Sequence, residues 1–201
     1  MRALLIALLF FPSVVLADFF DYPHKTFNVR LICGGGVDCD RAQEVFRSAS
    51  NYIDNAVNAK FQIVDRVIVD HDMIGRSVVE RMLKWQIFIL DLHKETVDVN
   101  YIVLDAYPRL VDYVDFSSEQ VLGMVQDIGI AGKVKNSVAF SKLVGSDTFS
   151  ARIVIHELGH LLGARHGDKG IMFPSMDVAQ YSEGYSLESI YQIQDHLRSL
   201  N

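Results

Sequence analysis

Residues 156–176 read HELGHLLGARHGDKGIMFPSM, and the spacing of the histidines decides how the rest of the chain is read. His156 and His160 are four residues apart, so on a helix they differ by about 40° and both imidazoles point to one side, where one metal ion can bridge them. Glu157 lies one residue along. From there its carboxylate does not easily chelate the same ion but reaches a water bound to it, which is the place of a general base. Gly163 can take a positive φ and turn the chain out of the helix, bringing His166 back as a third ligand. Three neutral imidazoles leave one tetrahedral position for water, a catalytic Zn2+ arrangement with one ion and not a closed structural one. Five fixed residues over eleven positions arise by accident on the order of once in ten thousand chains of this length.

Upstream, the pattern alternates strands and helices. TFNVRLIC at 26–33 alternates like a strand, and Asp40 with Gln43 resembles a capping box opening a helix over 41–58. FQIVDRVIVD at 61–70 is β-branched and predicts a second strand. Val78, Met82, Trp85, Ile89 and Leu92 recur at helical spacing, which predicts a second amphipathic helix over 76–95. Strands are expected at 97–107 and 136–144, with an amphiphilic segment around 117–126 between them. The active-site helix is expected over 148–163 and a last helix over 186–199, N-capped by Ser186. This order predicts an α+β fold, with an α/β-like N-terminal lobe over about 18–166 and a small C-terminal lobe over 167–201.

The composition agrees with a globular domain: 50% hydrophobic, 22% charged and 4 Pro in 201 residues. The net charge of −6 with no basic block argues against a nucleic-acid partner. Arg2 precedes the apolar run ALLIALLFFPSVVLA, and Val15 and Ala17 are small residues before Asp18, so residues 1–17 are expected to be a signal peptide. The rival reading is an uncleaved anchor. No second long apolar run follows, so no membrane domain is expected in the mature chain. The expected location is secreted or extracellular, periplasmic if bacterial. In an oxidising compartment Cys33 and Cys39, bracketing GGGVD, are expected to close a small disulfide loop; the alternative is a thiolate metal site, for which no His lies nearby.

HExxHxxGxxH followed by a Met resembles the metzincin clan of zinc endopeptidases. The resemblance implies that His156, His160 and His166 are the zinc ligands, Glu157 the catalytic base, Gly163 the glycine of the turn and Met172 the methionine of the Met-turn, with Met176 the lesser candidate. It implies a twisted mixed sheet with an antiparallel edge strand above the cleft, two long helices before the active-site helix, and a terminal helix below. GIAGKVKNSVAFSKL and GIM at 170–172 are most similar to the adamalysin (reprolysin) branch, while Met172-Phe173-Pro174 and LESIYQIQDHL are also similar to matrixins. Three departures stand out. Gly167 intervenes before Asp168, Gly170 and Ile171 stand where adamalysins have a Cys beside the Met-turn, and Pro174 stands where astacins and serralysins have a Tyr. CGGGVD around Cys33 faintly resembles a cysteine switch, but the disulfide is preferred.

The function implied is a secreted zinc metalloendopeptidase (EC 3.4.24 type) acting on protein or peptide substrates bound in extended form, NSVAFSKLV being the expected substrate-binding strand. About eight residues between Asp18 and the first strand leave no room for a large propeptide, so control is expected from export, metal supply or an external protein inhibitor. The expected state is a monomer. The alternatives are a secreted binding or toxin-like protein on the same scaffold with little turnover, which intact Glu157 argues against, and a zinc-stabilised structural protein. Asp70, His71 and Asp72 are read as a solvated strand end, and Asp98, Asp105, Asp112 and Asp115 lack a calcium-loop pattern, so structural Ca2+ has no support. His24, His93 and His196 are read as surface histidines.

Overall fold

The structure is a computed structural model that describes residues 22–34, 36–69, 88, 91, 97–104, 123–125, 134, 137–174 and 184–200. Among the described residues five strands form one sheet: β1 (Lys25–Gly34), β2 (Ala59–Val69), β3 (Val99–Leu104), β4 (Gly123–Val125) and β5 (Ser137–Lys142), in the order β2-β1-β3-β5-β4. The first four in that order run parallel and β4 pairs antiparallel with β5. Helices α1 (Cys39–Val57) and α2 (Asp147–Leu161) pack on one another and α3 (Leu187–Ser199) follows near the C-terminal end.

The pleat sorts the core. Val29, Leu31, Val99, Tyr101, Val103 and Ala139 face α1 and α2, whose Phe46, Ala49, Ile53, Val154 and Leu158 complete the larger cluster. Phe46 meets the Tyr101 ring edge-on at 4.9 Å between centroids, a packing whose loss in Phe46→Ala costs about 3–5 kcal/mol. The alternate residues Ile32, Ile102, Leu104, Val138 and Phe140 build a second cluster on the opposite face. Because both faces are covered, β3 and β5 are buried along almost their whole length, which takes the polar Asn100, Ser137 and Ser141 into the interior with their apolar neighbours.

Several elements depart from the sequence expectation. Helix α1 begins at Cys39, because Asp38 and not Asp40 is the N-cap: its carboxylate accepts from Asp40 N–H and Arg41 N–H. The far end stops at Asn58, which takes the left-handed conformation at φ 53° and donates its N–H to Asp54 O. Ser50 Oγ then ties α1 to β2, donating to Phe61 O at 2.8 Å and accepting Phe61 N–H at 3.0 Å. The strand expected at 136–144 is present as β5, but it is interior, hydrogen-bonded to β3 on one side and β4 on the other. Among the described residues it therefore has no free edge to offer a substrate, and the edge strand is β4, within the segment read only as amphiphilic. Of the helix expected over 76–95 only Phe88 and Asp91 are described, both helical. Residues 1–17, Asp70, His71, Asp72 and His93 lie outside the described residues. No helix among the described residues is long and apolar enough to cross a membrane.

Candidate metal centre

Helix α2 is placed by both ends. Ser146 caps it, accepting from Phe149 N–H, and Arg41 of α1 reaches Asp147 at 2.7 Å and Gly145 O at 2.7 Å. From Ala151 to Leu161 every described residue except Arg152 and His160 is buried, so the His156 and His160 side of the helix faces inward with little freedom. The helix ends at Leu161 with Leu162 as its C-cap, and Gly163, at a φ of 95°, carries the chain back; a Cβ there would lie 3.0 Å from His196 Cβ. This corrects the placing of His196 on the surface: it is half-buried against that turn, and burial holds its imidazole below the usual range.

The turn brings the three histidines together. Nε2 of His160 lies 3.1 Å from Nε2 of His156 and 3.2 Å from that of His166, and the third pair is 3.3 Å apart. These contacts are not hydrogen bonds between neutral rings. His156 Nδ1 donates to Ile171 O at 2.7 Å and His160 Nδ1 to Ala164 O at 2.8 Å, which leaves a bare lone pair on each Nε2. Lone pairs held this close need a cation between them. A tetrahedral zinc with bonds of about 2.0–2.1 Å separates its nitrogen ligands by about 3.3–3.4 Å, so the observed triangle fits that ion.

The electrostatics agree. Burial, and then the neighbouring His160, push the His156 imidazole down to about 4. Burial likewise lowers His160 and His166. All three are thus neutral at pH 7, as ligands must be. Glu157, 3% exposed, has its carboxyl pushed well above the usual carboxylate range by burial alone, and among the described residues no cation pairs with it. A carboxyl so placed holds a proton readily, which suits proton transfer.

Beneath the triad, Met172 is fully buried and its Sδ faces Gly159. Cys33 and Cys39 form a disulfide with Cα atoms 5.6 Å apart, so neither is a thiolate ligand. Asp98 accepts Asn28 N–H at 2.7 Å, while Asp105, Asp112, Asp115, Met176 and Tyr181 lie outside the described residues. Tyr185 is held against α2: its hydroxyl donates to Ile155 O at 2.8 Å and its N–H donates to Tyr52 Oη at 3.0 Å. This support under α2 is absent from the sequence reading. Its trace in the sequence is the pairing of Tyr185, just before the Ser186 cap, with Ile190 four residues after the cap, the pattern of a hydrophobic staple.

The family model Metallo-peptidase family M12B Reprolysin-like matches residues 40–167. Among solved structures, archaemetzincin from Methanopyrus kandleri superimposes with a TM-score of 0.59 at 15% identity, covering 86% of this chain and 96% of that one. Myroilysin gives a TM-score of 0.36 at 16% identity over 76% of this chain and 48% of that one. No curated protein matches the sequence. The archaemetzincin likeness shows the metzincin-type fold, and the family match spans more than half of the 201 residues. With its three-histidine site, the chain belongs to the reprolysin-like metallopeptidases of family M12B, zinc peptidases of metzincin type.

Proposed function

We propose that the protein is a secreted zinc-dependent endopeptidase whose mature form is residues 18–201. The observation that carries this reading is the meeting of three neutral Nε2 lone pairs within 3.3 Å of one another, two of them from the helix that also carries the buried Glu157. His156, His160 and His166 would hold one zinc ion, which when bound supplies Lewis acidity toward the scissile carbonyl and the attacking water. Glu157 accepts the proton of that water. Burial, which favours its neutral form, then lets it keep the proton until the leaving nitrogen takes it. No residue on this path forms a covalent bond to the substrate.

Strand β4 ends the sheet and packs against α2, so its outer edge is the place where an extended peptide adds by main-chain hydrogen bonds. An added strand held along its length, and not at a terminus, supports cleavage within chains. The division into an N-terminal lobe (18–166) and a C-terminal lobe (167–201) puts the cleft between them. The adamalysin-like branch with matrixin-like features rests on the GIM sequence at 170–172 and the Phe173-Pro174 that follows. Action as a monomer, with control by an external inhibitor, completes the reading.

The test uses the secreted product: its mass, its zinc content, and its cleavage of a diverse peptide mixture. The proposal expects a chain starting at Asp18, one zinc, and chelator-sensitive cleavage at internal bonds that falls by about 10²–10⁴ in Glu157→Ala with zinc retained. Zinc with no cleavage of any peptide would favour a binding protein, and release of terminal residues only would rule out the endopeptidase.

A further inference from the structure

The three ligands are not held alike. His156 and His160 are fixed twice, by the helix backbone and by an Nδ1–H bond to a carbonyl oxygen. His166 stands outside the helix, is exposed, and among the described residues no group takes its Nδ1. A ligand ring without such a partner depends on its own backbone for aim.

That backbone is tied on both flanks. Downstream, Gly167 N–H donates to Met172 O at 3.1 Å. Upstream, Arg165 N–H lies past the end of α2 and donates to Gln192 Oε1 at 2.8 Å, a side chain of α3. Gln192 is itself positioned: its Nε2 approaches Glu188 Oε1 at 3.4 Å, and α3 is anchored by the buried Ile193 and Leu197 and by His196 against Gly163. One flank thus uses main chain alone, and the other hangs on a single side-chain oxygen.

We infer that Gln192 is a positioning residue for the metal centre, setting the third ligand by holding the Arg165 N–H. The inference rests on the reading of the three histidines as a zinc site. Its loss would leave the Gly163–Gly167 turn to sample conformations in which His166 is swung away from the other two. Zinc affinity then falls by the fraction of time the triangle is incomplete.

The experiment compares full-chain wild type with Gln192→Met, which keeps the length of the side chain but has no comparable acceptor, and with Gln192→Glu made together with Glu188→Gln, which keeps an oxygen at the same reach without a like-charge pair on α3. Zinc affinity is read by chelator competition, the ligand field by the visible spectrum of the cobalt-substituted protein, and the Arg165 amide by hydrogen exchange in the metal-free protein. Gln192→Met is expected to bind zinc on the order of tenfold more weakly, with an altered cobalt spectrum and faster exchange at Arg165. Gln192→Glu with Glu188→Gln should stay within about threefold of wild type. If Gln192→Met does not fold, Gln192→Ala takes its place. Equal zinc affinity in wild type and the acceptor-less variant, or equal weakening in both Gln192→Met and the double variant, overturns the inference. Wild type that binds no zinc overturns instead the three-histidine reading, and the inference with it.

Discussion

A Cβ on Gly159 would lie 2.7 Å from Met172 Sδ and 3.0 Å from the Tyr185 ring, so the active-site helix touches its floor through a bare backbone. Helix propensity alone favours Gly159→Ala by about 0.8–1 kcal/mol. The close approach reverses the sign. Gly159→Ala is expected to destabilise by about 1–3 kcal/mol, measured by denaturant unfolding, and to weaken zinc binding because Ile171, which fixes His156, adjoins the displaced Met172. A more stable Gly159→Ala protein would contradict the contact.

Glu157 offers a second reversal, between stability and activity. Its carboxyl is buried, and charging it inside the protein costs more than in the unfolded chain. Glu157→Gln should therefore stabilise the metal-free protein at pH 7 by about 1–3 kcal/mol while removing the proposed general base. The gain should vanish near pH 4, where the carboxyl is protonated in both states. Thermal unfolding in chelator at the two pH values checks it.

The histidines respond to pH in the opposite sense. An unfolded His156 takes up a proton near 6.5, and the folded one only near 4, so the folded form is the proton-poor one. Its contribution is fully present above pH 6.5 and is lost as pH falls toward 4, at about 1.4 kcal/mol per unit for one proton and on the order of 3 kcal/mol in all. His160 and His166 add in the same direction. Since Glu157 gains stability over part of this range, the measurement belongs in metal-free Glu157→Gln. Urea unfolding there should show stability dropping steadily from pH 7 to 5, and a flat profile would mean that the imidazoles are not buried as described.

The disulfide joins the end of β1 to the first turn of α1 across a separation of six residues. Closing so short a loop stabilises by about 2 kcal/mol through the unfolded chain. Cys33→Ala with Cys39→Ala is expected to lower stability by about that amount and leave zinc stoichiometry unchanged. Loss of zinc in the double variant would show that the β1–α1 corner shapes the metal centre.

The legible parts of the molecule were those with local causes. Helix α3 falls at Leu187–Ser199 behind its Ser186 cap, as expected, because capping and apolar period act within one or two turns. The histidine geometry was legible for the same reason, since four residues on a helix fix a face whatever surrounds it. Strand β4 was not: three residues cannot show a period of two, and only pairing with β5 defines it as a strand. Likewise, Gln192 reads in sequence as a polar position on an amphipathic helix. Its partner, the Arg165 amide, is 27 residues away and is found only once the chain has folded. Asp38 and Asp40 compete for one cap within a single turn, and spacing alone does not choose between them.

Every group that aims the three ligands lies beyond the end of α2. Ile171 O orients His156, Ala164 O orients His160, and Gln192 steadies the approach to His166, while Tyr185 braces α2 from below. A nascent chain can therefore assemble β1, α1 and most of the sheet with the histidines already made but not yet aimed. The three ligands are fully aimed only when α3 has docked, so folding of the segment after α2 and assembly of the metal centre are one event.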